Sequence, residues 1–78
     1  MPKVTLTQTQ RIENRVNAWI LLQMKIQKKS QADIGYLLNL PGKCIGERLR
    51  GVTPWKFGEV LEVVNALGGR LEEILWNM

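Results

Sequence analysis

From Thr7 to Lys28 the chain contains no Gly or Pro, and apolar residues recur at Ile12, Val16, Trp19, Leu22 and Ile26. Steps of three and four residues predict an amphipathic helix with this stripe turned to the core and Ile20 at its border. Leu21 and Met24 fall outside the stripe, so the helix carries more apolar surface than one small core requires. They are expected against the strand-like segment Val4 to Leu6 or against a second subunit.

Ser30 stands where an N-cap stands, with Asp33 three residues on to complete a box-like cap, and a second helix is predicted over 31–38. Its inward residues are Ile34, Leu37 and Leu38, with Gly35 where another helix must approach closely. Asn39 tolerates a left-handed helix end, Leu40 turns inward, and Pro41 opens the next helix, where its missing amide proton costs nothing. That third helix runs over 41–50, with Ile45 and Leu49 inward, Gly51 closing it, and Gly42, Lys43, Gly46, Glu47 and Arg50 outward. The segment 52–56 reads as a loop, with Trp55 as a lid over the core. Phe57, Val60, Leu61, Val64 and Leu67 then define a fourth helix over 57–67, stopped by Gly68-Gly69. Leu71, Ile74 and Leu75 define a short fifth over 71–76. The fold class predicted is all-α, a compact five-helix domain.

Two short amphipathic helices meeting at a tight break, over about 31–50, have the layout of a helix-turn-helix. In that unit the first helix braces the second, and the early residues of the second meet base edges in the major groove. Sequence-specific binding of double-stranded DNA is the function this layout predicts.

Charge sharpens the expectation. The net charge is +4 over 78 residues. Residues 25–56 carry seven cations against two carboxylates, whereas residues 57–78 carry one against four. Positive charge gathers around the paired helices, where phosphates would be neutralised, and the acidic end can face away. Lys25, Lys28 and Lys29 suit the dipole at the end of the first helix, and their place beside the pair also suits phosphate contact.

The length allows a single domain, 1–78, and 45% hydrophobic with 23% charged residues is an ordinary globular balance. No apolar run approaches the roughly 20 residues that span a bilayer, and the N-terminus lacks a signal-like apolar core, so a cytoplasmic protein without membrane contact is expected. A lone Cys44 excludes an internal disulfide and reads as a small packed residue. The absence of His leaves almost no ligands for zinc, so no metal or cofactor is expected. With no His, one Cys, one Asp and no phosphate-cradling glycine loop, the usual nucleophile and base pairs cannot be assembled, and the chain does not read as an enzyme.

The ordered set Ser30-Gln31, the break before Pro41, Ile45, Arg48-Leu49-Arg50-Gly51, Glu59 through Leu67-Gly68, and Glu73-Ile74-Leu75 resembles the Cro and phage-repressor type of regulator, the lambda-repressor-like fold. The run RLRGVTPW followed by EVLEVVNALGG is similar to small regulators of phages and prophages of high-GC Gram-positive bacteria. The resemblance covers about Gln23 to Leu75. It implies that Gln31 touches a phosphate, often while bracing a base contact, that Gly42, Lys43, Gly46 and Glu47 face the major groove, and that Arg50 and Lys56 grip flanking phosphates. Asn39 replaces the usual Gly of the turn, and Gly42 and Gly46 replace side chains that commonly read bases. Lys43, donating to guanine, and Glu47, accepting from cytosine, remain as base readers.

The resemblance also implies a repressor that occupies an operator as a homodimer, on half-sites about one helical turn apart. Leu21, Met24, Ile74, Trp76 and Met78 are the candidate dimer surface. Two other readings stand beside this one. The first is an antirepressor or modulator that keeps the fold and binds another regulator protein; the second is a non-specific DNA-binding accessory protein.

Overall fold

The computed structural model describes residues 8–76, and its elements are α1 (Gln8–Gln27), α2 (Gln31–Leu38), α3 (Gly42–Leu49), α4 (Phe57–Ala66) and α5 (Leu71–Leu75), with no strand among the described residues. The all-helical class and the five predicted helices are therefore present. The segment Val4 to Leu6 and the candidate interface residue Met78 lie outside the described residues.

Local chemistry accounts for the joints. The Ser30 hydroxyl accepts from the Asp33 amide at 3.1 Å while the Asp33 carboxylate accepts from the Ser30 amide at 2.8 Å, a reciprocal cap that starts α2. Asn39 ends α2 in the left-handed region at φ 59°, and the Leu40 amide then donates to the Gly35 carbonyl at 2.7 Å. Gly35 is buried, and a Cβ there would collide with the Leu40 carbonyl oxygen, so the turn folds directly onto α2. Pro41 occupies the N-cap of α3 with φ −62°, and Gly51 terminates the following turn at φ 79°.

The core combines Val16, Ile20 and Met24 of α1, Ile34 of α2, Ile45 and Leu49 of α3, Val63 and Val64 of α4, the adjoining Leu67, and Ile74 of α5. Trp19, Leu38, Leu40, Trp55 and Val60 pack around it. The Trp19 ring lies so close over Gly69 that a Cβ there would overlap it, which seats the turn between α4 and α5 on α1.

The buried face of α1 is not the one the apolar pattern predicts. Leu22 and Ile26 are 53% and 61% exposed, whereas Ile20 and Met24 are buried, a rotation of roughly a quarter turn about the helix axis. Met24 and Ile74 are core residues, so neither is free for a partner as the candidate dimer surface requires; Leu21 and Trp76 are exposed. Leu37 and Phe57 also lie outward, and Val63 takes the fully buried position on α4. In each case the helix has more apolar residues than its contact face holds, and its neighbour decides which are covered.

Candidate functional site

Helix α3 is fixed from three directions, and the fourth is its polar face. Ile45 and Leu49 anchor it in the core. One residue on, the Gly42 and Gly46 side rests against the first turn of α2. A Cβ on Gly42 would stand 3.4 Å from the Ala32 Cα, and one on Gly46 would stand 2.8 Å from the Gln31 Oε1. Gly46 is buried and Gly42 half-buried, which corrects the outward position expected for both. They are contact surface for α2: a methyl at 42 would make ordinary van der Waals contact with the α2 backbone, and one at 46 would meet the end of the Gln31 side chain.

The third anchor is Arg48. Its Nε donates to Glu59 Oε1 at 2.9 Å and its Nη2 to Glu59 Oε2 at 3.3 Å, while Nη1 reaches the Cys44 carbonyl at 3.3 Å. The two side chains are 10% and 16% exposed, so this fork-shaped pair ties α3 to the first turn of α4 with little competing water. The hydrogen bond to Glu59 raises the Arg48 pKa against the opposing effect of burial. For Glu59 burial acts to raise the pKa, but the Arg48 hydrogen bond, the Lys56 amide and the nearby cations outweigh it and hold the carboxyl below its ordinary value. Cys44, the neighbour of this pair, is half-buried and unbridged.

Asn17 of α1 completes the support. It is buried, its Nδ2 donates to the Arg48 carbonyl at 3.2 Å, and its Oδ1 accepts from the Trp55 indole N–H. One amide thus joins α1, the end of α3 and the loop before α4. Trp55 packs on the core as a lid, with its polar edge satisfied.

What remains outward on α3 is Lys43, Glu47 and Arg50: Lys43 and Arg50 exposed, Glu47 half-buried. Gln31 at the start of α2 is exposed beside them through its seat on Gly46. Lys56 is exposed at the start of α4, where its amide donates to Glu59 at 3.1 Å. Lys28 and Lys29 are exposed as well but are not brought onto α3. Lys29 lines a groove with Asp33, Leu37, Ala66 and Leu67, on the side of α2 turned away from Gln31 and Gly35. The site is therefore a convex polar strip on a rigid short helix, with two cationic donors, one carboxylate acceptor and one side-chain amide. It is not a cleft.

Sequence reasoning passed over Asn17 and the Arg48–Glu59 pair. Asn17 gave no signal because a polar residue on a helix reads as solvent-facing, and Arg48 and Glu59 stand on different helices with a loop between them, outside any local spacing rule.

Elsewhere, Leu21, Leu22, Ile26 and Trp76 are exposed, and a groove of about 600 Å³ between α1 and the turn before α5 is lined by Trp19, Leu22, Gly69 and Ile74. Among the described residues, no three His, Cys, Asp or Glu side chains converge to hold a metal ion, and no helix is long and apolar enough to cross a membrane. Comparison of the chain with protein-family models, curated proteins and solved structures finds no match.

Proposed function

We propose that this protein is a sequence-specific DNA-binding regulator in which α2, the Asn39-Leu40-Pro41 turn and α3 form a helix-turn-helix of the lambda-repressor-like kind. In this reading α3 enters the major groove of an operator and blocks transcription by occupancy. The observation that carries the reading is that α3 is immobilised on three sides while its fourth side presents Lys43, Glu47 and Arg50 to solvent. A helix that reads base edges must be held in register, because a shift of about an ångström breaks paired hydrogen bonds.

The roles follow from chemistry. Lys43 donates to guanine O6 and N7, Glu47 accepts from cytosine N4, and Arg50 with Lys56 neutralises phosphates on either side. Arg48, being paired with Glu59, contributes no free charge. The exposed apolar residues Leu21, Leu22, Ile26 and Trp76 favour a second reading, in which the domain docks on another regulator protein.

A salt series separates the two. Affinity for duplex DNA should fall steeply and linearly on logarithmic axes as salt rises, and Arg50→Ala should reduce the slope by about one. Binding indifferent to salt would refute the DNA reading and favour the protein-docking one.

A further inference from the structure

The interlock of Gln31 with Gly46 assigns the site a reader that lies outside α3. The Gln31 side chain lies across the Gly46 backbone, where a Cβ would come within 2.8 Å of its Oε1, 3.3 Å of its Cδ and 3.4 Å of its Nε2. All three terminal positions of the side chain are thus gathered on one spot of α3. Gly42, one turn earlier, likewise places only backbone against Gln31 and Ala32. The residue remains exposed, and among the described residues its amide makes no hydrogen bond, so both its donor and its acceptor are free.

We infer that Gln31 is a specificity-determining residue that reads an adenine, delivered to the base edges by the gap that Gly46 leaves on α3. The inference rests on the proposed insertion of α3 in the major groove. A side-chain amide donates to adenine N7 and accepts from N6 in one plane, a pattern no other base offers there. α3 brings to its polar strip a donor in Lys43 and an acceptor in Glu47, suited to a G·C pair in either orientation, but no group with both capacities. Gln31 supplies that group from the neighbouring helix. The resemblance assigns Gln31 to a phosphate, often while bracing a base contact made by another side chain; here Gly46 offers no side chain to brace, and the packing on it holds the Gln31 amide itself toward α3 and its neighbours.

The test is selection from a randomised duplex pool with the full chain and three variants, each checked for a cooperative thermal transition. The wild type should enrich an element with an A·T pair beside the positions set by Lys43 and Glu47. Gln31→Ala should relax preference at that one position by roughly tenfold to a hundredfold and leave the others unchanged. Gln31→Glu should move the preference there toward C·G, since a carboxylate only accepts. Gly46→Ala should do the same as Gln31→Ala although residue 31 is intact, because the new methyl meets only the far end of a flexible side chain and displaces it without disturbing the helix.

A uniform loss of affinity across all sequences in Gln31→Ala, with no change of preference, would mean a phosphate contact and would overturn the inference while leaving the DNA reading in place. Failure of the wild type to enrich any element would remove both.

Discussion

Arg48 and Glu59 join the last turn of α3 to the first turn of α4 through two parallel hydrogen bonds of 2.9 and 3.3 Å, and the same Glu59 carboxylate accepts the Lys56 amide at 3.1 Å. The pair fixes the orientation of α3 from the side opposite α2. Replacing Glu59 by Ala strands a nearly buried guanidinium and should cost about 3 kcal/mol, the lower end of the range for a broken buried pair. Urea denaturation at neutral pH measures it.

The same pair sets an acid limit. The folded-state pKa of Glu59 lies below its ordinary value of 4.5, so its contribution to stability is complete above that value and disappears as pH falls through the depressed one. Asp33 behaves in the same sense, held low first by the Ser30 amide and then by the Ser30 hydroxyl. Thermal midpoints should fall on acidification below pH 4.5, and Glu59→Gln should flatten part of that fall while Asp33 retains the rest. An unchanged acid profile in Glu59→Gln would show that the pair does not form in solution.

Asn17 satisfies one donor and one acceptor on two other elements. Asn17→Ala leaves the Trp55 indole N–H without its partner and the Arg48 carbonyl with only the Gly51 amide, and should destabilise the fold by about 2 kcal/mol. The indole emission of Trp55 should also change as its hydrogen bond is lost, though Trp19 and Trp76 contribute to the signal. A variant with Trp55 as the sole tryptophan isolates it.

Two glycines on helices should respond oppositely to the same change. Gly58 in α4 has open space where a Cβ would stand, so Gly58→Ala should stabilise by about 1 kcal/mol. Gly35→Ala drives a methyl into the Leu40 carbonyl and should separate α2 from the turn, lowering the thermal midpoint sharply. Equal effects would mean that the turn does not pack on α2 as described.

These contrasts show what a linear pattern can and cannot specify. The cap at Ser30, the left-handed Asn39, the close approach at Gly35 and the stop at Gly51 were legible because each is a property of a few adjacent residues. The phase of α1 was not. Val16, Ile20 and Met24 form one apolar row and Trp19, Leu22 and Ile26 another, and which is covered depends on α5 and the turn before it, which arrive much later in the chain. Gly46 was misplaced because glycine carries no polarity signal; its role became visible only with the Gln31 side chain lying on it. Of the candidate site, Lys43, Glu47, Arg50 and Gln31 come together, whereas Lys29 belongs to another groove and Met24 and Ile74 to the core.

The polar strip predicts its own substitution pattern. Changing Lys43 and Glu47 together to Ala removes one exposed and one half-buried side chain that make no hydrogen bond or ion pair among the described residues. The thermal transition should stay within about 0.5 kcal/mol of the parent, as for ordinary surface changes, while discrimination between a selected duplex and random DNA falls. Discrimination retained at full strength would remove α3 from the reading role.

Selective DNA binding by α3 is measured by recovery of bound fragments from sheared genomic DNA at about 150 mM salt, where non-specific phosphate contacts are already weakened. A selective DNA-binding domain should return a small set of sites sharing one short element. Recovery of every fragment equally, or of none, would contradict it.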